Sequence, residues 1–365
     1  MRKVIVVDWL DTYGGAERVI KSLYSIFSFD KCYTLINIMS KNNQNKIFSK
    51  HPAIIKETTL KHCGSKFRWF FILFHFLIDK IKIDQSADII ISSSHSVAKG
   101  VKKSRKNQLH ISYFQARNFK YIWADYKLYF GKFSFLVLPI IKLLRRADIH
   151  QSRNPDYIIS NSNYVKEWVK DTYNRDSEVI YPGVDLSKFN LKTEKKEFYV
   201  TVGRLEPYKR FDLIVDAFNE TGKKLIIIGD GSQLKQLNKR AKHNIEFRGF
   251  LESEEVFNYI SEAKGFVHAG IEDFGIAPIE AQACGTPVIG YNKGGLKETV
   301  IHNKTGILFE QQSYDSIIEA LVEFEKVRFN YKEVREHALK FSSERFEEEF
   351  KTKVEKLYIN WKEQS

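Results

Sequence analysis

The chain has 365 residues, 43% hydrophobic and 28% charged, with only 7 Pro and 19 Gly. That excludes a disordered, collagen-like or linker protein and suits two globular domains. Charge is one-sided: residues 1–187 hold 30 Lys+Arg against 16 Asp+Glu (+14), and the remainder holds 28 against 29 (−1), summing to the net +13. A basic first half calls for an anionic partner there. Three scattered cysteines (Cys32, Cys63, Cys284) suit neither a disulfide framework nor a zinc site, so a reducing compartment is expected.

In chain order, Lys3–Trp9 is a short apolar run with no small-residue cleavage site behind it, a first buried strand and not a signal peptide. A cytoplasmic protein is expected. Gly14 and Gly15 follow that strand. Two stretches, 67–78 (FRWFFILFHFLI) and 133–144 (FSFLVLPIIKLL), are apolar with basic flanks at Lys66, Lys80, Lys82, Lys142, Arg145 and Arg146. Both are shorter than the roughly 20 residues that span a bilayer. They read either as core helices or as helices lying in an anionic membrane interface. Further strands are expected at Ala87–Ser92, Leu109–Phe114, Tyr157–Ser160 and Glu178–Tyr181. Pro and Gly in Tyr181–Phe189 (YPGVDLSKF) mark a boundary, giving domains 1–187 and 188–340, with 341–365 a helix returning to the first domain.

In the second half, strands are expected at Phe198–Val202, Lys224–Gly229, Ile245–Phe247, Gly265–His268, Pro287–Gly290 and Gly306–Phe309. Strands alternating with amphipathic stretches indicate parallel sheets covered by helices, so each half reads as one doubly wound, Rossmann-like α/β unit. Two such domains facing across a cleft would make a small-molecule site. Arg204 and Lys209, just after a strand at Gly203, suit a diphosphate: Arg as a fork, Lys as a point charge. Alone, they equally suit surface pairing with Glu206 and Asp212. In His268–Gly290 (HAGIEDFGIAPIEAQACGTPVIG), Pro278 opens a short helix and Gly285 closes it. The backbone N–H groups of Phe274, Gly275 and Ile276 are then free for an anion. Glu280, placed in the first turn, reads as dipole stabilisation or as a ribose ligand, and Glu272 as a sugar ligand.

These motifs resemble the retaining family 4 glycosyltransferases of the GT-B fold. The resemblance rests on GR-x4-K at Gly203–Lys209 and EDFGIAPIEA at Glu272–Ala281. It extends to GGAER at Gly14–Arg18, IIIGDG at Ile226–Gly231, FRGFL at Phe247–Leu251 and GTPVIGYNKGGLKETV at Gly285–Val300. Within that family the chain is nearest to bacterial mannosyltransferases that build O-antigen and other surface polysaccharides from GDP-mannose. The resemblance implies Arg204 and Lys209 on the donor diphosphate, Glu280 on the ribose, and Glu272 with the Phe274–Ile276 amides on the transferred sugar. It implies Gly14 and Gly15 at the diphosphate from the other domain, and Arg248, Phe250 and Leu251 at the base. One departure stands out. The family pattern has Y-x-H-T-P before an aromatic-Trp pair, whereas YFQARNFKYIW at Tyr113–Trp123 puts Gln115 where the His is expected and Lys120 in place of an Arg. Gln donates a hydrogen bond to a sugar hydroxyl but does not titrate near neutral pH.

The expected activity is therefore metal-independent transfer of a hexose, mannose from GDP-mannose, to a lipid-linked or surface-polysaccharide acceptor. No D-x-D spacing marks a metal site, and the only cofactor-like molecule expected is the nucleotide-sugar donor. The expected location is the inner face of the cytoplasmic membrane. The competing readings are a nucleotide-sugar epimerase on the same fold and an inactive donor-binding scaffold. No recognition motif supports a nucleic-acid partner, and no G-x-G-x-x-G supports a dinucleotide oxidoreductase.

Overall fold

The computed structural model describes residues 1–48, 54–120, 122–123, 126, 131 and 134–364. The chain forms two compact units, Met1–Gly183 with Glu344–Ser365, and Val184–Ser343. The division falls inside the Pro/Gly segment named above, a few residues before the expected 187/188. The reason is local. The Val184 N–H donates to the Phe341 carbonyl (2.9 Å) and the Ser343 N–H to the Val184 carbonyl (3.1 Å), so both ends of the second unit are tied together from Val184 onward. The same bonds keep Phe341 and Ser342 in the second unit, and the last helix starts at Ser343.

Unit 1 contains β1 (Lys3–Val7), β2 (Lys31–Thr34), β3 (Ile54–Glu57), β4 (Ile89–Ser94), β5 (Leu109–Phe114), β6 (Tyr157–Ser160) and β7 (Glu178–Val179). All pair in parallel, in the order β3-β2-β1-β4-β5-β6-β7. The order reverses between β1 and β4, where Val7 lies opposite Ser93. Outside the carboxyl ends of strands at such a reversal is where ligands bind in doubly wound sheets. β2 and β3 are absent from the sequence expectation. Each has four residues, and β3 is an edge strand with no buried side chain, so neither shows the continuous apolar run of a central strand. The central strands β4 and β5 are buried along their whole length.

Stretch 67–78 is not one helix. Residues Thr59–Leu73 form 3-10 turns interrupted at Gly64 (φ 50°) and Phe70, and only Phe74–Asp79 is α-helical. Within the stretch the helical path breaks at Phe70 (φ −95°, ψ 20°), and just ahead of it at Gly64, where positive φ ends the preceding turns. Stretch 133–144 lies in the helix Ser134–Gln151, with Phe133 outside the described residues. The helix Ser343–Glu363 sends Phe346, Phe350, Val354 and Leu357 into the unit 1 core, where Phe346 and Phe350 pack on Tyr113 at 5.7 and 5.6 Å.

Unit 2 contains β8 (Lys196–Val202), β9 (Leu225–Ile228), β10 (Ile245–Gly249), β11 (Ala263–His268), β12 (Val288–Tyr291) and β13 (Gly306–Phe309). It is again all parallel, ordered β10-β9-β8-β11-β12-β13, and reverses between β8 and β11.

Candidate active site

In unit 2 the loops after β8 and β11 meet at the reversal point. A backbone contact sets the β8 loop: a Cβ on Gly229 would lie 1.9 Å from the Gly203 carbonyl oxygen, so the turn after β9 presses directly on the turn after β8. Leu205, buried, donates its N–H to the Asp230 carbonyl (2.9 Å). This holds Arg204 at the rim, where its Nη2 donates to the Tyr208 hydroxyl (3.2 Å). One 3-10 turn at Pro207–Lys209 then aims Lys209 inward.

Lys209 forms an ion pair with Glu272, both side chains being under a fifth exposed. His268, the last residue of β11 and buried, brings its Nε2 to 3.2 Å from the Glu272 Oε1. The two residues assigned to diphosphate and sugar are thus adjacent, and an imidazole stands behind the carboxylate. His268 was not singled out from the sequence, although its position at a strand's carboxyl end, four residues before Glu272, is the signal that marks it. The loop carrying Glu272 is pinned by the Gly294–Gly295 pair. A Cβ on Gly294 would lie 2.2 Å from the Glu272 carbonyl oxygen, and one on Gly295 2.2 Å from that of Phe274. The Gly295 N–H donates to the Glu272 carbonyl at 2.8 Å.

The helix Ile276–Ala283 starts directly after Gly275, which takes a left-handed conformation (φ 98°). Pro278 is therefore the third residue, tolerated because a first-turn N–H needs no acceptor. Glu280 is the fifth residue, in the second turn and buried, and not in the first turn as expected. The helix-dipole account of Glu280 consequently loses its ground, since that effect is confined to the terminal turn. Among the described residues the Gly275 and Ile276 N–H groups have no hydrogen-bond acceptor. Phe274 is buried against Phe341, with ring centroids 5.7 Å apart. Gln282 anchors this helix: its Nε2 donates to the Thr299 carbonyl (2.8 Å), and its Oε1 lies 2.9 Å from the His337 Nδ1. Burial pushes His337 down to about 4, so the neutral ring donates this bond at pH 7.

Arg248 pairs with Glu246 at 2.5 Å, lies over the Tyr259 ring, and belongs to edge strand β10, two strands from β8. Phe250 beyond it is exposed and Leu251 half-buried.

In unit 1, Gly14 caps the helix Gly15–Ile26, and its N–H is taken by the Glu17 carboxylate (2.9 Å). Gln115 follows β5. Its amide donates to the Ser93 hydroxyl, its N–H to the Ser94 carbonyl (2.9 Å), and its carbonyl accepts from Asn161 (2.6 Å). Gln115 is thus held across the carboxyl ends of β4, β5 and β6. Lys120 is half-buried in the loop beyond, while Tyr121 of the same motif lies outside the described residues. Among the described residues no three His, Cys, Asp or Glu side chains group as metal ligands. No described helix is long and apolar enough to cross a membrane.

Comparison with known proteins gives the family. Residues 185–341 match the family described as glycosyl transferases group 1, and residues 35–188 match glycosyltransferase family 4. An uncharacterized glycosyltransferase of Methanocaldococcus jannaschii is 29% identical over 57% of this chain and 61% of its own. A GDP-mannose-dependent alpha-(1-6)-phosphatidylinositol monomannoside mannosyltransferase of Mycobacterium tuberculosis is 30% identical over 51% of this chain and 56% of its own. The aligned region thus spans little more than half the length of these curated relatives. Sucrose-phosphate synthase from Thermosynechococcus elongatus superposes with a TM-score of 0.77 at 16% identity, covering 99% of this chain and 100% of that one.

Proposed function

Because the chain belongs to the group 1, family 4 glycosyltransferases of the GT-B fold, we propose that it transfers a hexose, mannose from GDP-mannose, to a hydroxyl of a lipid-linked saccharide. The configuration at the anomeric carbon is retained. The observation that carries this reading is the cluster at the unit 2 reversal point: Lys209 paired with Glu272, Arg204 at the rim, and acceptor-free Gly275 and Ile276 N–H groups at a helix start. The name of the M. tuberculosis relative supports mannose as the sugar and a lipid as the carrier of the acceptor.

The chemical problem is charge. As the glycosidic bond breaks, the diphosphate gains negative charge and the sugar becomes oxocarbenium-like. Arg204, Lys209 and the helix-start N–H groups answer the first, and preorganised donors of this kind each contribute roughly 3 kcal/mol. When the diphosphate enters, it draws Lys209 away from Glu272, which frees that carboxylate for the sugar hydroxyls. The acceptor oxygen attacks from the face the diphosphate leaves, and its proton passes to the departing phosphate oxygen. No metal takes part in this scheme. Glu280 binds the ribose, and Arg248, Phe250 and Leu251 edge the base.

The reading extends to location, a peripheral enzyme on the inner face of the cytoplasmic membrane in surface-polysaccharide synthesis such as that of O-antigen. Trp69, Phe76, Phe135 and Leu143 are 85%, 60%, 63% and 66% exposed. The two segments that bear them are joined where His75 Nδ1 meets Gln151 Oε1 (2.6 Å) and Gln151 Nε2 donates to the His75 carbonyl (2.8 Å). Lys66, Lys80, Lys142 and Arg146 are exposed on the same segments. An apolar ridge with a basic rim fits anionic headgroups. Product NMR tests the transfer: α-linked mannose from GDP-mannose supports retention, and a β-linkage overturns it.

A further inference from the structure

Asp8, immediately after β1, is a buried carboxylate with an unusual load. It accepts the N–H groups of His95 (2.6 Å), Ser96 (3.0 Å), Val97 (2.5 Å) and Ala98 (2.7 Å). The Nδ1 of His95 lies 3.1 Å from the same carboxylate. Four amides tie the loop after β4 to the end of β1, and the ring contact orients the imidazole: with Nδ1–H directed at Asp8, Nε2 of the neutral tautomer is an acceptor. Among the described residues Nε2 has no protein partner, and the side chain is 26% exposed.

The surroundings say what such a nitrogen serves. His95 stands at the β1/β4 reversal of unit 1, where doubly wound sheets bind ligands. Its carbonyl accepts the Phe119 N–H (2.9 Å), and two residues earlier Ser93 accepts from Gln115, so the loop of the altered Y-x-H-T-P motif is built on the His95 turn. On its other side the ring meets Trp9 edge-on at 4.5 Å. Trp9 packs on Phe67 and Phe74 (both 5.7 Å), buried residues of the segments that bear the exposed Trp69 and Phe76. Ring packing thus runs from His95 through Trp9 to Phe67 and Phe74, on the same segments as the exposed Trp69 and Phe76.

We propose that His95 recognises the acceptor, its Nε2 accepting a hydrogen bond from a hydroxyl of the lipid-linked saccharide, with Asp8 as the positioning residue. No proton is transferred; His95 orients the acceptor, and the attacking hydroxyl keeps its own route to the departing diphosphate. The inference rests on the glycosyl-transfer reading and fails separately from it. The test uses the full chain, GDP-mannose and a synthetic polyprenyl-diphosphate-linked saccharide, comparing wild type with His95→Ala and His95→Gln. Loss of one substrate hydrogen bond is expected to lower kcat/KM for the acceptor roughly ten- to a hundredfold, with donor Kd unchanged within twofold. His95→Gln, which keeps an acceptor oxygen and most of the packing, recovers part of the loss and decides the matter if His95→Ala does not fold. Equal acceptor kcat/KM in wild type and both variants overturns the inference while leaving the transfer reading intact. A parallel loss of donor affinity assigns His95 to the donor and also overturns it. No transfer by wild type overturns both.

Discussion

Lys209 and Glu272 form an ion pair at the unit 2 reversal point, and the proposal assigns one to the diphosphate and the other to the sugar. Lys209→Ala is expected to lower kcat/KM for the donor about a hundredfold, the scale of one preorganised cation, in steady-state kinetics. If Glu280 holds the ribose as proposed, Glu280→Ala should chiefly raise the donor KM, because such a ligand binds ground and transition states alike. Gly294→Ala brings a Cβ to 2.2 Å from the Glu272 carbonyl oxygen at φ 72°. A drop in donor affinity together with a lowered Tm should follow, and an unchanged donor Kd would show that the loop tolerates the shift. At this scale the polar residues of the proposed donor site stand out in the sequence because they follow strand ends in a dense motif. His268 and His95 were not, since each draws its meaning from a partner brought by the fold: Glu272 across one turn, and Asp8 from 87 residues away.

At the scale of elements, the strands buried on both faces were readable as apolar runs, whereas β2 and β3 were too short and β3 too exposed to register. The break of 67–78 into 3-10 turns is likewise hidden, because composition reports apolarity and not the non-helical backbone at Phe70. On β5, His110 is fully buried, bonded to Ser92 (2.8 Å), and pushed by desolvation down to about 4. Its folded pKa lies below the unfolded value near 6.5, so the unfolded chain binds the proton first. Stability is complete above about pH 6.5 and is lost as pH falls toward 4, by on the order of 3 kcal/mol for this residue. Denaturant melts at pH 7 and pH 4.5 should show a steeper loss in wild type than in His110→Gln. The final helix buries four apolar side chains in unit 1. At about 1.5–3 kcal/mol each, their sum approaches the whole stability of a domain. A chain ending at residue 343 should therefore be insoluble or lack cooperative unfolding of unit 1 by calorimetry.

For the whole molecule, the excess of basic residues lies in the half that also carries the exposed Trp69, Phe76, Phe135 and Leu143. Trp69→Ser combined with Phe76→Ser should abolish co-sedimentation with phosphatidylglycerol vesicles at low salt while leaving donor Kd unchanged. Vesicle binding by the double variant equal to wild type would remove the ridge from the account. The central claim is transfer from a nucleotide sugar to a lipid-linked acceptor, and the direct measurement is nucleotide release. The chain is incubated with GDP-mannose, UDP-glucose or UDP-galactose, with and without a polyprenyl-diphosphate-linked saccharide. The account predicts GDP release from GDP-mannose only when the acceptor is present, and little release from the UDP sugars. Sugar interconversion without acceptor, or donor binding with no turnover under any condition, would contradict it.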